Sequence, residues 1–221
     1  MMQAATMAPL ITSILFVLAA ATLTSSITEA AASMAPPPPC VPPPSAAAFL
    51  RARCATTAYG VACYESLIPY ACTFQTSHVK LARAATDVNL AWLRGLSKRV
   101  KELAARGGTG AGAEAAALRD CASTVSSAAG LAKQSAAELA KLDAAAGAAA
   151  GRSEVRWSVS NTQTWLSASM TNEATCADGF GVAAGSSAMS VAAREVVIGV
   201  VAARERTSVA LALVNGIPVP S

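Results

Sequence analysis

Six cysteines, Cys40, Cys54, Cys63, Cys72, Cys121 and Cys176, are the residues of this 221-residue chain whose type and spacing most invite chemistry. A thiol can hold a metal, attack a substrate, or pair with another thiol. Structural zinc asks for close Cys or Cys/His pairs, but no C-x-x-C occurs and His78 is the single histidine. Covalent catalysis asks for a nucleophile beside a base. The chain has no G-x-S-x-G, and no Cys-His-Asn arrangement is suggested. His78 stands beside Ser77 and Lys80 near a helix start, where a lone histidine reads as a solvated side chain rather than a general base. The run GGTGAG (Gly107–Gly112) has the glycines of a phosphate loop. No strand precedes it and no Lys-Ser/Thr follows, so it reads as an interhelix loop. Asp120, Asp143 and Asp178 are isolated acids, and in TNEATCADGF the pair Asp178–Gly179 fits a helix end. The residues point to a non-enzyme whose cysteines pair.

Pairing depends on the compartment, which the N-terminus addresses. Residues 1–32 hold one charged side chain, Glu29, around the apolar run APLITSILFVLAAATL (Ala8–Leu23). Sixteen residues are short for a membrane-spanning helix, and small residues follow up to Ala32. That layout predicts a secretory signal peptide over 1–32, although no Lys or Arg precedes the apolar run. The alternative is an uncleaved anchor. No second segment of that kind follows, so no membrane contact is expected after cleavage. In an exported chain, six cysteines read as disulfide partners before metal ligands.

Losing Glu29 leaves 17 basic against 12 acidic groups, a net charge of +5. Such a protein is drawn to acidic surfaces, including polyanionic polysaccharide. The charges are scattered with few aromatics beside them, which argues against nucleic acid.

The stretch MAPPPPCVPPPS (Met34–Ser45) holds seven of the eleven prolines and favours extended polyproline geometry, so residues 33–45 read as a spacer. From Ala46 to Ile217 the only proline is Pro69, and alanine is abundant. Steps of three and four then trace apolar stripes. One runs from Leu118 through Cys121, Val125 and Ala128 to Leu142, and another from Met189 through Val196 and Val200 to Val214. A weaker one joins Leu81, Ala85, Val88, Trp92, Leu96, Val100 and Leu103. The fourth goes from Val155 through Leu166, Ser169 and Glu173 to Cys176, fraying toward its end. Three glycine-rich breaks separate the four: RGGTGAGA after Ala105, AAAGAAAGR before Ser153 and DGFGVAAGSS after Ala177.

Long helices joined by short loops run antiparallel to their neighbours. The expected fold is therefore all-α, an up-down-up-down four-helix bundle over 76–216 behind an N-terminal helical hairpin at 46–75. Cys121 lies early on the second bundle helix and Cys176 late on the third, and antiparallel packing brings these positions within disulfide reach. A bridge there closes a loop of more than fifty residues, a stabilisation of about 4 kcal/mol. Cys54 and Cys63 would close a small loop that staples a hairpin too short to hold itself by burial.

Three segments together resemble the plant pectin methylesterase and invertase inhibitors. CATTAYGVACYESLIPYA (Cys54–Ala71) is similar to the family's cysteine hairpin C-x-x-T-x-Y-x-x-x-C-x-x-S-L, with Thr57, Tyr59, Ser66 and Leu67 in place. ALRDC (Ala117–Cys121) looks like the A-L-x-D-C opening of the second bundle helix. TWLSASMTNEATCADGF (Thr164–Phe180) is close to W-L-S-A-A-L-T-N-x-x-T-C-x-D-G-F, and SVALALVN (Ser208–Asn215) resembles the family's ending.

The resemblance implies a secreted, cell-wall (apoplastic) inhibitor domain over 46–221 with disulfides Cys54–Cys63 and Cys121–Cys176. It also implies stoichiometric blocking of a target's active-site cleft, with no cofactor. The same fold also precedes pectin methylesterase catalytic domains; the chain's end at Ser221 favours a free inhibitor. The Pro-Lys-Phe motif of many invertase inhibitors is absent. Pectin methylesterase is therefore the preferred target, with invertase the alternative and a structural, acidic-pectin-binding wall protein a further one. The esterase inhibitors often carry D-C-x-E-x-Y-x-D-A after the second-helix cysteine. Here Ser123, Val125 and Ser127 replace the two acids and the tyrosine, while Asp120 and Ala128 are kept. Thr175 and Asp178 are the first choices for surviving contacts, with helix capping around Cys176 as the competing role. Cys40 and Cys72 have no place in this pattern: they pair together, link two chains, or leave a free thiol.

Overall fold

Helix α1 (Pro44–Cys54) begins on the last of the spacer prolines in this computed structural model, which describes residues 41–107, 112–146, 151–184 and 189–219. The stretch read as a signal peptide and Cys40 lie outside the described residues. Pro44 occupies the first helical position, where a missing N–H costs nothing because that donor would have no intrahelical acceptor. After a tight turn, α2 (Gly60–Leu67) doubles back and the Cys54–Cys63 bridge joins the two, with Cα atoms 5.5 Å apart. Gly60 is needed there, because a Cβ would sit 3.2 Å from the Cys54 carbonyl oxygen, a backbone atom with little freedom to retreat.

A 3-10 turn (Ile68–Tyr70) containing Pro69 and the single-turn α3 (Ala71–Phe74) complete the hairpin. The chain then reverses through Phe74–Ser77, closed by Ser77 N donating to Phe74 O at 2.8 Å. Gln75 sits in it at φ 50° and ψ −104°, the glycine-favouring first central position of a type II′ turn.

Four long helices follow: α4 (His78–Gly107), α5 (Ala113–Ala146), α6 (Arg152–Ala184) and α7 (Val191–Asn215). Each packs on the next, and α7 returns to α4. Cross-helix pairs fix the directions. On α5 and α6, Cys121 meets Cys176 while Glu138 meets Ser158. On α4 and α5, Arg83 meets Asp143 while Lys101 meets Ser126. On α4 and α7, Asn89 meets Thr207 while Arg99 meets Glu195. Every neighbouring pair runs antiparallel, so the bundle is up-down-up-down. Among the described residues no helix is long and apolar enough to cross a membrane.

The core has two apolar halves. One gathers Leu50, Leu67 and Phe74 of the hairpin against Leu81, Leu142 and Leu213, so the hairpin plugs that end of the bundle. Burying each such side chain contributes about 2 kcal/mol. The other half surrounds the second disulfide with Leu93, Val125, Phe180 and Val196. A buried polar belt lies between them, with Thr86 and Asn89 on α4, Ser135 on α5, Ser169 and Glu173 on α6 and Thr207 on α7.

This belt corrects two expectations. On the α4 stripe, Leu81, Ala85 and Val100 are buried as expected and Val88, Leu96 and Leu103 pack partly against the core, but Trp92 is 39% exposed, while Ala82, Thr86, Asn89 and Leu93 beside the stripe point inward. Trp92 instead lies across the α4–α7 seam, donating through Nε1 to Gly199 O at 3.1 Å beneath the Arg206 guanidinium, 3.9 Å from the ring centre. The stripe of α6 does not fray either, since Ser169, Glu173 and Cys176 are all buried. The breaks are displaced too. Helix α6 continues through Gly179 and Gly181 to Ala184, so Asp178–Gly179 is not a helix end.

Candidate functional site

The Cys121–Cys176 bridge holds α5 and α6 with Cα atoms 4.4 Å apart, and the residues singled out for partner contact flank it. Ser123 and Ser127 follow Cys121 by half a turn and a turn and a half, and both are exposed. Ser127 Oγ donates to Ser123 O at 3.1 Å, so the two hydroxyls form a short row along one face of α5. On α6, Thr175 and Asp178 are exposed and three residues apart, which puts them on one face. Thr175 Oγ1 donates back to Thr171 O at 2.9 Å. Asp178 has no side-chain hydrogen bond or ion pair among the described residues. Both residues stand inside a continuous helix, so neither caps it. No contact joins the α5 pair to the α6 pair; what they share is an end of the bundle, one disulfide and exposure. Val125, at the tyrosine position of the esterase-inhibitor pattern, is fully buried in the core and is not available for contact. The same holds for the retained Ala128.

Beneath this face lies a group that motif reading passed over. Glu173, two residues before Thr175, is 0% exposed. Its Oε1 accepts from Ser169 Oγ at 2.9 Å and from Thr207 Oγ1 at 2.7 Å, while Thr207 Oγ1 also lies 3.2 Å from Asn89 Oδ1. Ser169 Oγ also lies 3.2 Å from the Ala128 carbonyl, so the cluster touches all four long helices. Glu173 Oε2 and Asn89 Nδ2 are buried without hydrogen-bond partners. Burial pushes the carboxyl up to about 7 against the weaker pull of the Thr207 and Ser169 hydroxyls and of Arg204. The acid is therefore held largely neutral in acidic surroundings. Its place on the 3,4-stepped stripe of α6 was the available signal, hidden by reading a polar residue as fraying.

His78 is not solvated as expected. Its ring packs edge-on against Phe49 at 5.1 Å, pinning α1 to the start of α4. Burial and the charge of Arg53 lower its pKa, opposed by the hydrogen bond its ring donates to the Gly216 backbone. Cys72 is disulfide-bonded, which removes the free-thiol alternative for it.

Residues 48–213 match the family model for plant invertase/pectin methylesterase inhibitors. The chain belongs to that family. It is 32% identical over 168 residues to pectinesterase inhibitor 10 of Arabidopsis thaliana, covering 76% of this chain and half of that protein's length. It is 34% identical over 167 residues to a 21 kDa protein of Daucus carota, covering 76% of this chain and 82% of the carrot protein. Among solved structures, the crystal structure of mutant form A of a pectin methylesterase inhibitor from Arabidopsis superposes with a TM-score of 0.56. At 17% identity, over 76% of this chain and 95% of that one, this likeness speaks to the fold. The likeness supports the helical-bundle fold.

Proposed function

We propose that the protein is a secreted inhibitor of pectin methylesterase that occupies the esterase's active-site cleft as a stoichiometric complex. The observation that carries this reading is the alignment of three quarters of the chain with a relative named as a pectinesterase inhibitor. The geometry supports it in kind. An inhibitor has to present a rigid polar face that is soluble alone and loses little freedom on docking. The α5–α6 surface beside Cys121–Cys176 meets that need, with exposed Ser123, Ser127, Thr175 and Asp178 on two covalently joined helices. The invertase alternative has no observation of its own here, and Pro-Lys-Phe is absent from the sequence. The test is an inhibition assay of the purified protein against a plant pectin methylesterase and an acid invertase at mildly acidic pH. Slowing of the esterase with invertase untouched is the expected result; inhibition of invertase alone overturns the choice of target.

A further inference from the structure

A groove of about 620 Å³ runs between α4 and α5, and it is lined by three cations, of which Arg94 also feels the charge of Asp87. Arg94, Lys98 and Lys101 line it from α4. Spaced by four and three residues, they form one row whose ends are about 10 Å apart along the axis. All three are exposed, and none makes an ion pair among the described residues. Lys101 Nζ reaches across to Ser126 Oγ at 3.2 Å. Lys133, exposed and seven residues beyond Ser126, lies on the same stripe of α5, where the antiparallel register sets it level with Arg94. The one acid lining the groove, Glu102, already faces two guanidiniums, Arg99 and Arg106, each at 3.7 Å. Small residues, Ser97, Ala105 and Ala129, keep the trough open.

We infer that this groove binds de-esterified pectin, the carboxylate-bearing polymer that the proposed target enzyme releases. A regular row of cations matches a chain that repeats its carboxylates, and hydroxyls at Ser97 and Ser126 suit sugar oxygens. No aromatic side chain lines the trough, so stacking of nucleobases has no platform. Each exposed contact is weak alone; a polymer engaging several at once gains through effective concentration. Such binding would hold the inhibitor where demethylation has already occurred. The choice of pectin over other polyanions rests on the proposed function. On α5 the groove is lined by Ser126 and Ala129, which border Ser127, while Ser123, Ser127, Thr175 and Asp178 themselves do not line it.

The experiment measures retention of the protein on immobilised polygalacturonate, on the same polymer fully methyl-esterified, and on poly-L-glutamate. Retention on polygalacturonate alone, lost as salt rises to roughly 0.5 M, is expected. The combined variant Arg94→Ser, Lys98→Ser, Lys101→Ser should bind roughly tenfold more weakly with its helical signal and melting temperature unchanged. Equal retention on the methyl-esterified polymer or on poly-L-glutamate overturns the inference, as does a folded variant that binds like the parent. The two polymer comparisons decide the matter even if the variant fails to fold. Complex formation with the esterase, followed by calorimetry without polysaccharide, reports the inhibitory reading separately.

Discussion

A glutamate buried at 0% exposure with one oxygen unpartnered ties stability to pH at a single residue. The folded pKa of Glu173, about 7, lies above its ordinary 4.5. Its contribution is therefore fully present below 4.5 and is lost as pH rises toward 7. Over that window the linkage amounts to about 3 kcal/mol. Charged and polar groups facing it are Arg204 and Thr207 on α7, Asn89 on α4, the Ala128 carbonyl on α5 and Ser169 on its own helix. Urea unfolding of Glu173→Gln across this range should show a flatter pH profile than the parent. His78, whose lowered pKa acts in the opposite sense, is common to both proteins and cancels in the difference. Identical profiles would place the titration elsewhere. On the surface, Asp178→Ala and Thr175→Ala should each weaken esterase binding several-fold while leaving the melting temperature in place. Neither side chain caps α6, and alanine is the better helix former there. Restoring acids with Ser123→Glu and Ser127→Asp should strengthen binding, by about 1–3 kcal/mol for each contact that is desolvated. Calorimetric titration checks both.

At the scale of elements, the two disulfides and one strained turn carry the sharpest predictions. Cys121–Cys176 spans 55 positions, so replacing both cysteines by serine should cost about 4 kcal/mol in chemical denaturation. It should also weaken inhibition, because α5 and α6 are then free to shift. Non-reducing peptide mapping should recover Cys54–Cys63 and Cys121–Cys176; a Cys121–Cys72 peptide contradicts the register. Gln75→Gly should raise stability by about 1 kcal/mol by relieving a positive φ that a side chain tolerates poorly, visible as a higher melting temperature. The helices differ in how legible they were. On α5 and α7 the core positions are nearly all apolar, so periodicity alone located the buried face. On α4 periodicity found the buried Leu81, Ala85 and Val100, but mid-helix the inward positions are the polar Thr86 and Asn89 while the half-exposed Trp92 sits over a seam, so there hydrophobicity pointed beside the core. On α6 the buried Ser169 and Glu173 looked like decay of the pattern. Glycines 179 and 181 looked like a stop, yet the helix holds across them because the disulfide and Phe180 anchor its final turns in the core. A buried polar belt is a tertiary arrangement; its members find partners only across helices far apart in sequence.

For the whole molecule, the hairpin closes one end of the bundle, a disulfide fixes the other, and polar groups cross the middle. Both ends of the α5–α6 face are thereby held without help from a partner. That rigidity is what the proposed cleft-blocking role needs. The most direct test of this account is a titration of pectin methylesterase activity with the purified protein, run beside its Asp178→Ala variant. Activity should fall linearly to near zero at one inhibitor per enzyme, with the variant requiring several-fold more protein at an unchanged melting temperature. Full esterase activity in the presence of excess folded protein would contradict the account.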